Sequence, residues 1–399
     1  MTGSSSNGSS SDNSTKVNIL DLSAAAVSSA IVAADQITAL AGSNNKTNAS
    51  TGENKNARLK IDGSFVTDAD MAAQQIIVDA LCNKVSNEIR IVGEENEEEM
   101  RKRAITGHES RLESIFQLAR KEISIRYHGN SNSNSNENNS QQPLPLAQQQ
   151  SKKKETQPQE LDSDIEIDKM QEYEIDTNRV TVWIDPLDAT NSYANGDYDP
   201  VSILVAIVVD QTPCFGVICK PFGYPGQPSV LDTGCMVVYG GTLLGAAYIA
   251  GSGRIQNKSS KQKHDLDLVR ELPRAVISKS RSKGIQDFVH YLAEKGIVHP
   301  EPLLVSGAGE KSLRIITRFE NEGLWFFPSR GTSLWDVAAS DALLRAIGGK
   351  LTDKLGNAMD YSKSRKEAEN VKGVVACYDQ DLHAECIRLF LEGSWFPNH

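Results

Sequence analysis

Val180-Thr181-Val182-Trp183-Ile184-Asp185-Pro186-Leu187-Asp188-Ala189-Thr190 is the stretch from which the rest of the chain can be read. Its β-branched opening predicts a buried strand. Pro186 has no N–H to give to a ladder, which predicts that the strand stops there and breaks into a turn. Asp185 and Asp188 then fall on the turn, and the Thr190 hydroxyl follows two residues on. Mg²⁺ takes oxygen ligands, uses few protein carboxylates and keeps water and phosphate oxygens for its remaining positions. Two carboxylates on one turn suit such an ion. The same letters alone also describe an Asp-rich turn after a strand.

Three other stretches point the same way. Ile91-Val92-Gly93-Glu94-Glu95 is a short apolar strand ending in two acids, and Trp335-Asp336-Val337-Ala338-Ala339 opens a helix with an aspartate. Val66-Thr67-Asp68-Ala69-Asp70 precedes an apolar helix, with Thr67 or Asp68 as its cap. Asp70 in the first turn also opposes the helix dipole favourably, whatever else it does. Carboxylates from separate segments (Glu94, Asp185, Asp188, Asp336) can assemble a cluster for two or more Mg²⁺ ions. Such a cluster meets the needs of phosphate-ester hydrolysis: neutralised phosphoryl oxygens, a nucleophilic water and a stabilised leaving oxygen.

In this order, over roughly residues 58–360 and across one insert, the four motifs resemble the inositol monophosphatase superfamily of Mg²⁺-dependent, lithium-sensitive phosphatases. The resemblance implies an α/β (α+β layered) fold, an α-β-α-β-α sandwich of two lobes with the site between them. It implies two or three Mg²⁺ ions held by Glu94, Asp185, the Leu187 carbonyl, Asp188 and Asp336, with Glu95 supporting Glu94. It also implies that Asp70 and Thr190 orient the attacking water. The amides of Ala189 and Thr190 can hold a phosphate oxygen, as helix N-termini do.

Totals narrow the alternatives. The 399 residues allow two domains or one large one, and a net charge of −10 does not suit a nucleic-acid partner. Six cysteines without C-x-x-C spacing read as buried thiols in a reducing compartment. His290, His299 and His383 lie apart, which argues against zinc. No apolar run is expected to reach the ~20 residues of a membrane span. Neither a membrane partner nor a secretory signal is expected, which favours a cytoplasmic protein and leaves an organelle open. A monomer or homodimer fits equally well.

Along the chain, residues 1–16 are Gly/Ser/Asn-rich and expected to be disordered. A helix is predicted over 17–41 and a polar loop over 43–56. Leu59–Val66 predicts a hairpin turning at Asp62-Gly63. Helices are predicted to about Val85 and over 108–126. Glu97, Glu98 and Glu99 read as a solvated acidic run. The Asn/Ser/Gln-rich segment of about 129–160, with Lys152-Lys153-Lys154 as a solvated cluster, reads as a disordered insert. Val201–Val209 and Cys214–Cys219 predict a strand pair across 210–213, followed by strands at 236–239 and 246–249. Residues 17–250 are thereby assigned to an α+β metal-binding lobe. Residues 251–399, a polar connection and then alternating strands and helices, are assigned to an α/β substrate lobe. Trp183 and Trp335 are assigned to packing.

Substrate pointers are finer. Ala189 stands where glycine is common in the wider superfamily. That variant resembles the 3′(2′),5′-bisphosphate nucleotidases, including Golgi-type enzymes, and Lys220-Pro221-Phe222 supports it. So does Ser278-Lys279-Ser280-Arg281-Ser282-Lys283, although Lys283 replaces the histidine of the related Ser-Arg-Ser-His. Ser280, Arg281 and Lys283 are thereby candidate nucleotide contacts, with Lys283 able to pair with a phosphate. In Ser306-Gly307-Ala308-Gly309-Glu310-Lys311, Gly307 and Gly309 let backbone approach a phosphate and Lys311 adds charge. The expected activity is hydrolysis of adenosine 3′,5′-bisphosphate to AMP and phosphate. The alternatives are an inositol polyphosphate 1-phosphatase, an inositol monophosphatase, or a non-catalytic phosphate-sensing scaffold.

Overall fold

The structure, a computed structural model, describes residues 15–47, 57–59, 65–96, 105–131, 173–230, 234–255, 272–279, 284–393 and 395. Of the expected disorder over residues 1–16, residues 1–14 lie outside them, as do the Asp62-Gly63 turn, Glu97–Glu99 and Lys152–Lys154, whereas Lys16 belongs to a strand.

The chain enters as a short strand, β1 (Lys16–Asn18), before helix α1 (Ile19–Thr47). The helix therefore begins two residues later than its apolar pattern suggests and runs into the polar stretch read as a loop. Asn18 explains the start, because its side chain accepts from the amides of Leu20 and Asp21. Over Ile19–Gly42 this helix is long and apolar enough to cross a membrane, contrary to the sequence expectation. Most of that stretch is buried within the protein, where Leu22, Ala25, Ile31 and Ile37 belong to the larger core.

β2 (Ala57–Leu59) and β3 (Phe65–Thr67) pair antiparallel, as the arms of the expected hairpin. Helix α2 (Asp68–Lys84) follows, capped by Thr67. Next come β4 (Arg90–Gly93) and α3 (Glu109–Ser131), whose last residues enter the segment read as a disordered insert. The remainder of that segment lies outside the described residues. β5 (Glu174–Asp176), which the sequence did not suggest, pairs with β1.

β6 (Val180–Asp188) corrects the reading of the central motif. The strand does not stop at Pro186. Asp185 pairs with Leu204 and Asp188 with Ser202, so three steps on β6 oppose two on β7 (Ser202–Val209). Pro186 costs a ladder bond, and the extra residue is absorbed as a bulge, which re-aims the side chains around it. The turn comes at Ala189, in the left-handed region at φ 66°, and a one-turn helix, α4 (Thr190–Ala194), follows. β8 (Thr212–Lys220) starts earlier than expected. Asp210 and Gln211, both at positive φ, make a two-residue hairpin turn. β9 (Met236–Gly241), β10 (Ala246–Ile249) and β11 (Gly253–Arg254) complete a sheet of order β11-β10-β9-β8-β7-β6-β4 among the described residues.

The second half contributes β12 (Arg274–Ser278), α5 (Ile285–Glu294), β13 (Leu303–Val305), α6 (Ala308–Thr317) and β14 (Glu322–Phe327). β15 (Thr332–Ser333), α7 (Leu334–Ala346) and β16 (Lys350–Thr352) follow. β17 (Glu369–Asn370), β18 (Val374–Cys377) and α8 (Gln380–Glu392) end the chain. Here the described strands form a sheet of order β13-β12-β14-β18-β16, with β16 unforeseen.

Five layers result, as expected. α1 and α2 cover one face of the larger sheet, and α6 and α7 lie between the sheets. On β14, alternation sends Trp325 and Phe327 inward to a cavity, while Phe326 meets Phe288 of α5 and Phe390 of α8 on the outer face. α7 seats directly on β8: a Cβ added to Gly216 would lie 2.3 Å from the Ala339 carbonyl oxygen. Trp183 and Trp335 pack in or against this second core.

Candidate active site

A cavity of about 450 Å³ opens where the bulge of β6, the end of β4 and the N-termini of α6 and α7 converge. Glu94, Asp185, Leu187, Asp188, Ala189, Thr190 and Asp336 line it, together with Gly307, Ala308 and Lys311. Residues separated by up to 242 positions are thus brought to one place (94 to 336).

Two of the aspartates are built into helix starts. Asp70 is the third residue of α2, and its Oδ2 accepts from the Thr67 amide at 2.8 Å and the Thr67 hydroxyl at 2.5 Å. Asp336 holds the same place in α7, where its Oδ2 accepts from the Ser333 amide at 2.6 Å. Each is a capping-box acid that gives one oxygen to its own helix start. The second oxygen of Asp70 meets Thr190, whose Oγ1 lies 3.0 Å from Oδ1 and 2.9 Å from the Leu187 carbonyl oxygen. One hydroxyl proton cannot serve two acceptors fully, so the protonation of Asp70 decides which way this chain of bonds runs.

Electrostatics follow from crowding. Burial pushes the Asp70 carboxyl up to about 7, with Glu94 and Glu95 adding to it against the Thr67 bonds. Asp336, partly exposed at the cavity wall, is also raised to about 7, by desolvation first and then by Asp188 and Glu94. Asp185 is raised well above the carboxylate range by burial and by Glu94, Asp336 and Asp188. Asp185 and Asp336 share a hydrogen bond, which requires a proton on one of them. Burial lowers the Lys311 ammonium to about 8, against the pull of Asp188, Asp336 and Glu310.

Among the described residues, no group of three acidic, His or Cys side chains is assembled as a finished metal cage. The donor set nevertheless fits a hard divalent cation. Carboxylates converge whose ionised forms repel one another, and the ion that suits oxygen donors needs only one or two of them beside waters and substrate oxygens.

Asp188 has partners that its sequence position does not disclose. Its Oδ1 accepts from the Ala308 amide at 3.0 Å, and Oδ2 accepts from the Gly309 amide at 2.7 Å and from Ser202 Oγ at 3.0 Å. The two glycines read as a phosphate loop are placed differently from each other. Gly307, at φ 76°, lets the turn pass Asp188 and faces the cavity. Gly309 does not line the cavity, and a Cβ there would lie 2.1 Å from Ser202 Oγ. Lys311 Nζ donates to the Gly307 carbonyl at 2.7 Å. Ser280, Arg281 and Lys283 lie outside the described residues, but their neighbours Ser278 and Lys279 line the cavity. Trp325, Phe327 and Thr332 also line it. Sequence reasoning passed over these three, and only inward alternation along β14 could have marked the two aromatics.

Two sheets with helices outside and between them, and an acidic cavity at their junction, define a layered α/β protein suited to a small anionic ligand with cations. The sequence profile of the inositol monophosphatase family matches residues 112–392. Over 220 residues the chain is 30% identical to 3′(2′),5′-bisphosphate nucleotidase 1 of Mus musculus, covering 55% of this chain and 64% of that protein. It is 29% identical over 194 residues to inositol monophosphatase 3 of Danio rerio, covering 47% of this chain and 48% of that one. The crystal structure of the extragenic suppressor protein SuhB from Bartonella henselae superposes with a TM-score of 0.50 at 15% identity, over 92% of this chain and 98% of that one. The chain belongs to the inositol monophosphatase family.

Proposed function

We propose that this protein is a divalent-metal-dependent phosphomonoesterase for small phosphorylated substrates. Within that class we propose a 3′(2′),5′-bisphosphate nucleotidase that hydrolyses adenosine 3′,5′-bisphosphate to AMP and phosphate. The observation that carries the reading is the meeting of Glu94, Asp185, Asp188 and Asp336 with the Thr190–Asp70 couple at one cavity edge. The family is generally metal-dependent, commonly on Mg²⁺.

In this reading Glu94, Asp185, Asp188, Asp336 and the Leu187 carbonyl hold the cation. When bound, Mg²⁺ supplies charge neutralisation at the phosphoryl oxygens and makes a water more acidic. The chain's own residues do the rest. Thr67 fixes Asp70 Oδ2, so Oδ1 is the acting oxygen. With Asp70 ionised, Thr190 Oγ1 donates to Oδ1 and turns a lone pair outward to accept from a water. With Asp70 protonated, Oδ1 donates to Thr190 and the threonine donates to the Leu187 carbonyl. A carboxyl near pH 7 is matched to taking that proton at neutral pH. Lys311 and the amides at the turn of Ala189 supply positive potential on the phosphate side.

The nucleotidase reading is supported by the Mus musculus relative and by Ala189. An inositol phosphate is the second reading, supported by the Danio rerio relative at nearly the same identity. Phosphate release with Mg²⁺ from adenosine 3′,5′-bisphosphate, inositol 1,4-bisphosphate and inositol 1-phosphate at equal concentrations decides between them. A clear preference for the nucleotide is expected. Preference for an inositol phosphate moves the assignment to the second reading, and no Mg²⁺-dependent release from any of them sinks both.

A further inference from the structure

Gly93-Glu94-Glu95 is a wall between two cavities. Glu94 faces the acidic cavity, while Gly93 and Glu95 face a smaller one of about 210 Å³ together with Gln74 and Arg365. Among the described residues β4 is the edge strand of its sheet, and at its end the Glu94 amide donates to the Ile184 carbonyl at 3.1 Å. Two residues remote in sequence also hold it. Gln74, buried in α2, donates through Nε2 to the Glu95 carbonyl at 2.9 Å and accepts from the Glu95 amide at 2.8 Å. Gly93 permits this approach, because a Cβ there would lie 2.5 Å from the Gln74 amide group. Arg365, on a 3₁₀ turn (Arg365–Glu367) of the second half, donates through Nε to the carbonyls of Gly93 and Glu94, both at 3.1 Å, and through Nη2 to that of Glu94 at 2.5 Å. The loop carrying Arg365 has a separate anchor: Arg90 donates to the carbonyls of Ser362 and Lys363. The loop thus has a hold on β4 besides the Arg365 bonds, and Arg90 serves as the control for docking alone.

We infer that Gln74 and Arg365 are positioning residues that aim the Glu94 carboxylate into the cluster, and that Arg365 lets the second half of the chain set the metal affinity of the first. The inference rests on the reading of Glu94 as a metal ligand. Outer partners of metal ligands typically alter affinity by about 10–100-fold when removed.

The test is a Mg²⁺ titration of the full chain without substrate, followed by thermal unfolding, for Arg365→Ala, Gln74→Met, Arg90→Ala and Glu94→Gln. Arg365→Ala and Gln74→Met are each expected to raise the Mg²⁺ midpoint about tenfold, and Arg90→Ala to leave it unchanged. Arg365 is exposed, so its variant folds even where a change at buried Gln74 does not, and it then decides alone. An unchanged midpoint in Arg365→Ala overturns the inference, and so does an equal shift in Arg90→Ala, since loop docking would then suffice. Glu94→Gln separates the two levels. No effect there overturns the ligand reading itself, whereas a large effect beside an inert Arg365→Ala sinks the positioning role alone.

Discussion

Two groups of ionisable side chains lie in the same interior, about one helix apart, and they are built on opposite terms. Behind α6, Lys220 donates to Glu310 at 2.8 Å, Arg314 donates to Glu310 at 2.8 Å and to Glu322 at 2.8 Å, and Tyr224 reaches Glu310 at 3.3 Å. Lys220, Glu310 and Glu322 are buried, and two cations meet two anions. In front of α6, Asp70, Glu94, Asp185, Asp188 and Asp336 gather, with acid raising acid, and Asp188 and Asp336 act in turn on the buried ammonium of Lys311. The first group is complete as folded. Among the described residues the second gathers more acids than cations, the kind of crowding that functional sites favour.

The largest expected effect breaks the acidic group. Asp185→Asn should lower Mg²⁺-dependent phosphate release by roughly 10⁴-fold, about 5.5 kcal/mol, because it removes a donor that acts on transition-state charge. The same variant should melt higher than the unchanged protein when both are free of Mg²⁺, since folding then no longer has to bury or protonate an acid there. A lower melting point would mean that the aspartate is there for packing, like its counterparts behind α6. Next, Lys220→Met should cost about 3–5 kcal/mol in urea unfolding, because Glu310 loses a buried partner. A loss under about 1 kcal/mol would show that Arg314 alone balances the network, and the contrast would weaken.

A third prediction uses pH. The folded-state values of Asp70 and Asp336 are raised to about 7 and that of Asp185 is raised as well, so the folded chain binds protons there before the unfolded chain does. Stability without Mg²⁺ should therefore rise as pH falls from 8 to 6.5. The stabilisation by Mg²⁺ should be larger at pH 8 than at pH 6.5, since protons and cations compete. Below that window His383, whose value burial lowers to about 4, acts in the other direction, because the unfolded chain then binds its proton first. A Mg²⁺ effect independent of pH across the window would mean the cluster is ionised throughout. The smallest expected effect is at Ala189, held at φ 66°. Ala189→Gly should stabilise by about 0.5–1 kcal/mol in chemical unfolding, since glycine meets no Cβ penalty there.

The parts legible in sequence are those whose physics is local. A β-branched run, a proline and two aspartates mark the end of β6, and apolar spacing marks α2, α7 and α8. The α-β-α-β-α layering was read through family resemblance. What escaped depends on distance or on small energies. The bulge at Pro186 lies in the pairing with β7, where Asp188 meets Ser202 at that strand's first residue, and no window around residue 186 contains that fact. The ties of Asp188 to α6 span 120 positions, and those of Arg365 to Glu94 span 271. Strands of three residues such as β1, β5 and β16 carry too little pattern to be read alone. One signal was legible but unused: Thr67-x-x-Asp70 and Ser333-x-x-Asp336 are both capping boxes, which places each aspartate at a defined helix start.

Gly216 gives the site its mechanical tolerance. Where α7 crosses β8, peptide rests on peptide, so no side chain exists there whose size could be traded to widen the gap. Asp336 rides on that helix, and the β6 aspartates sit in the same sheet with only β7 between them and β8. One of the contacts that space the helix from the sheet is thus set by backbone thickness and not by a side chain. A methyl group at residue 216, outside the cavity lining, would act on the cluster as a shim.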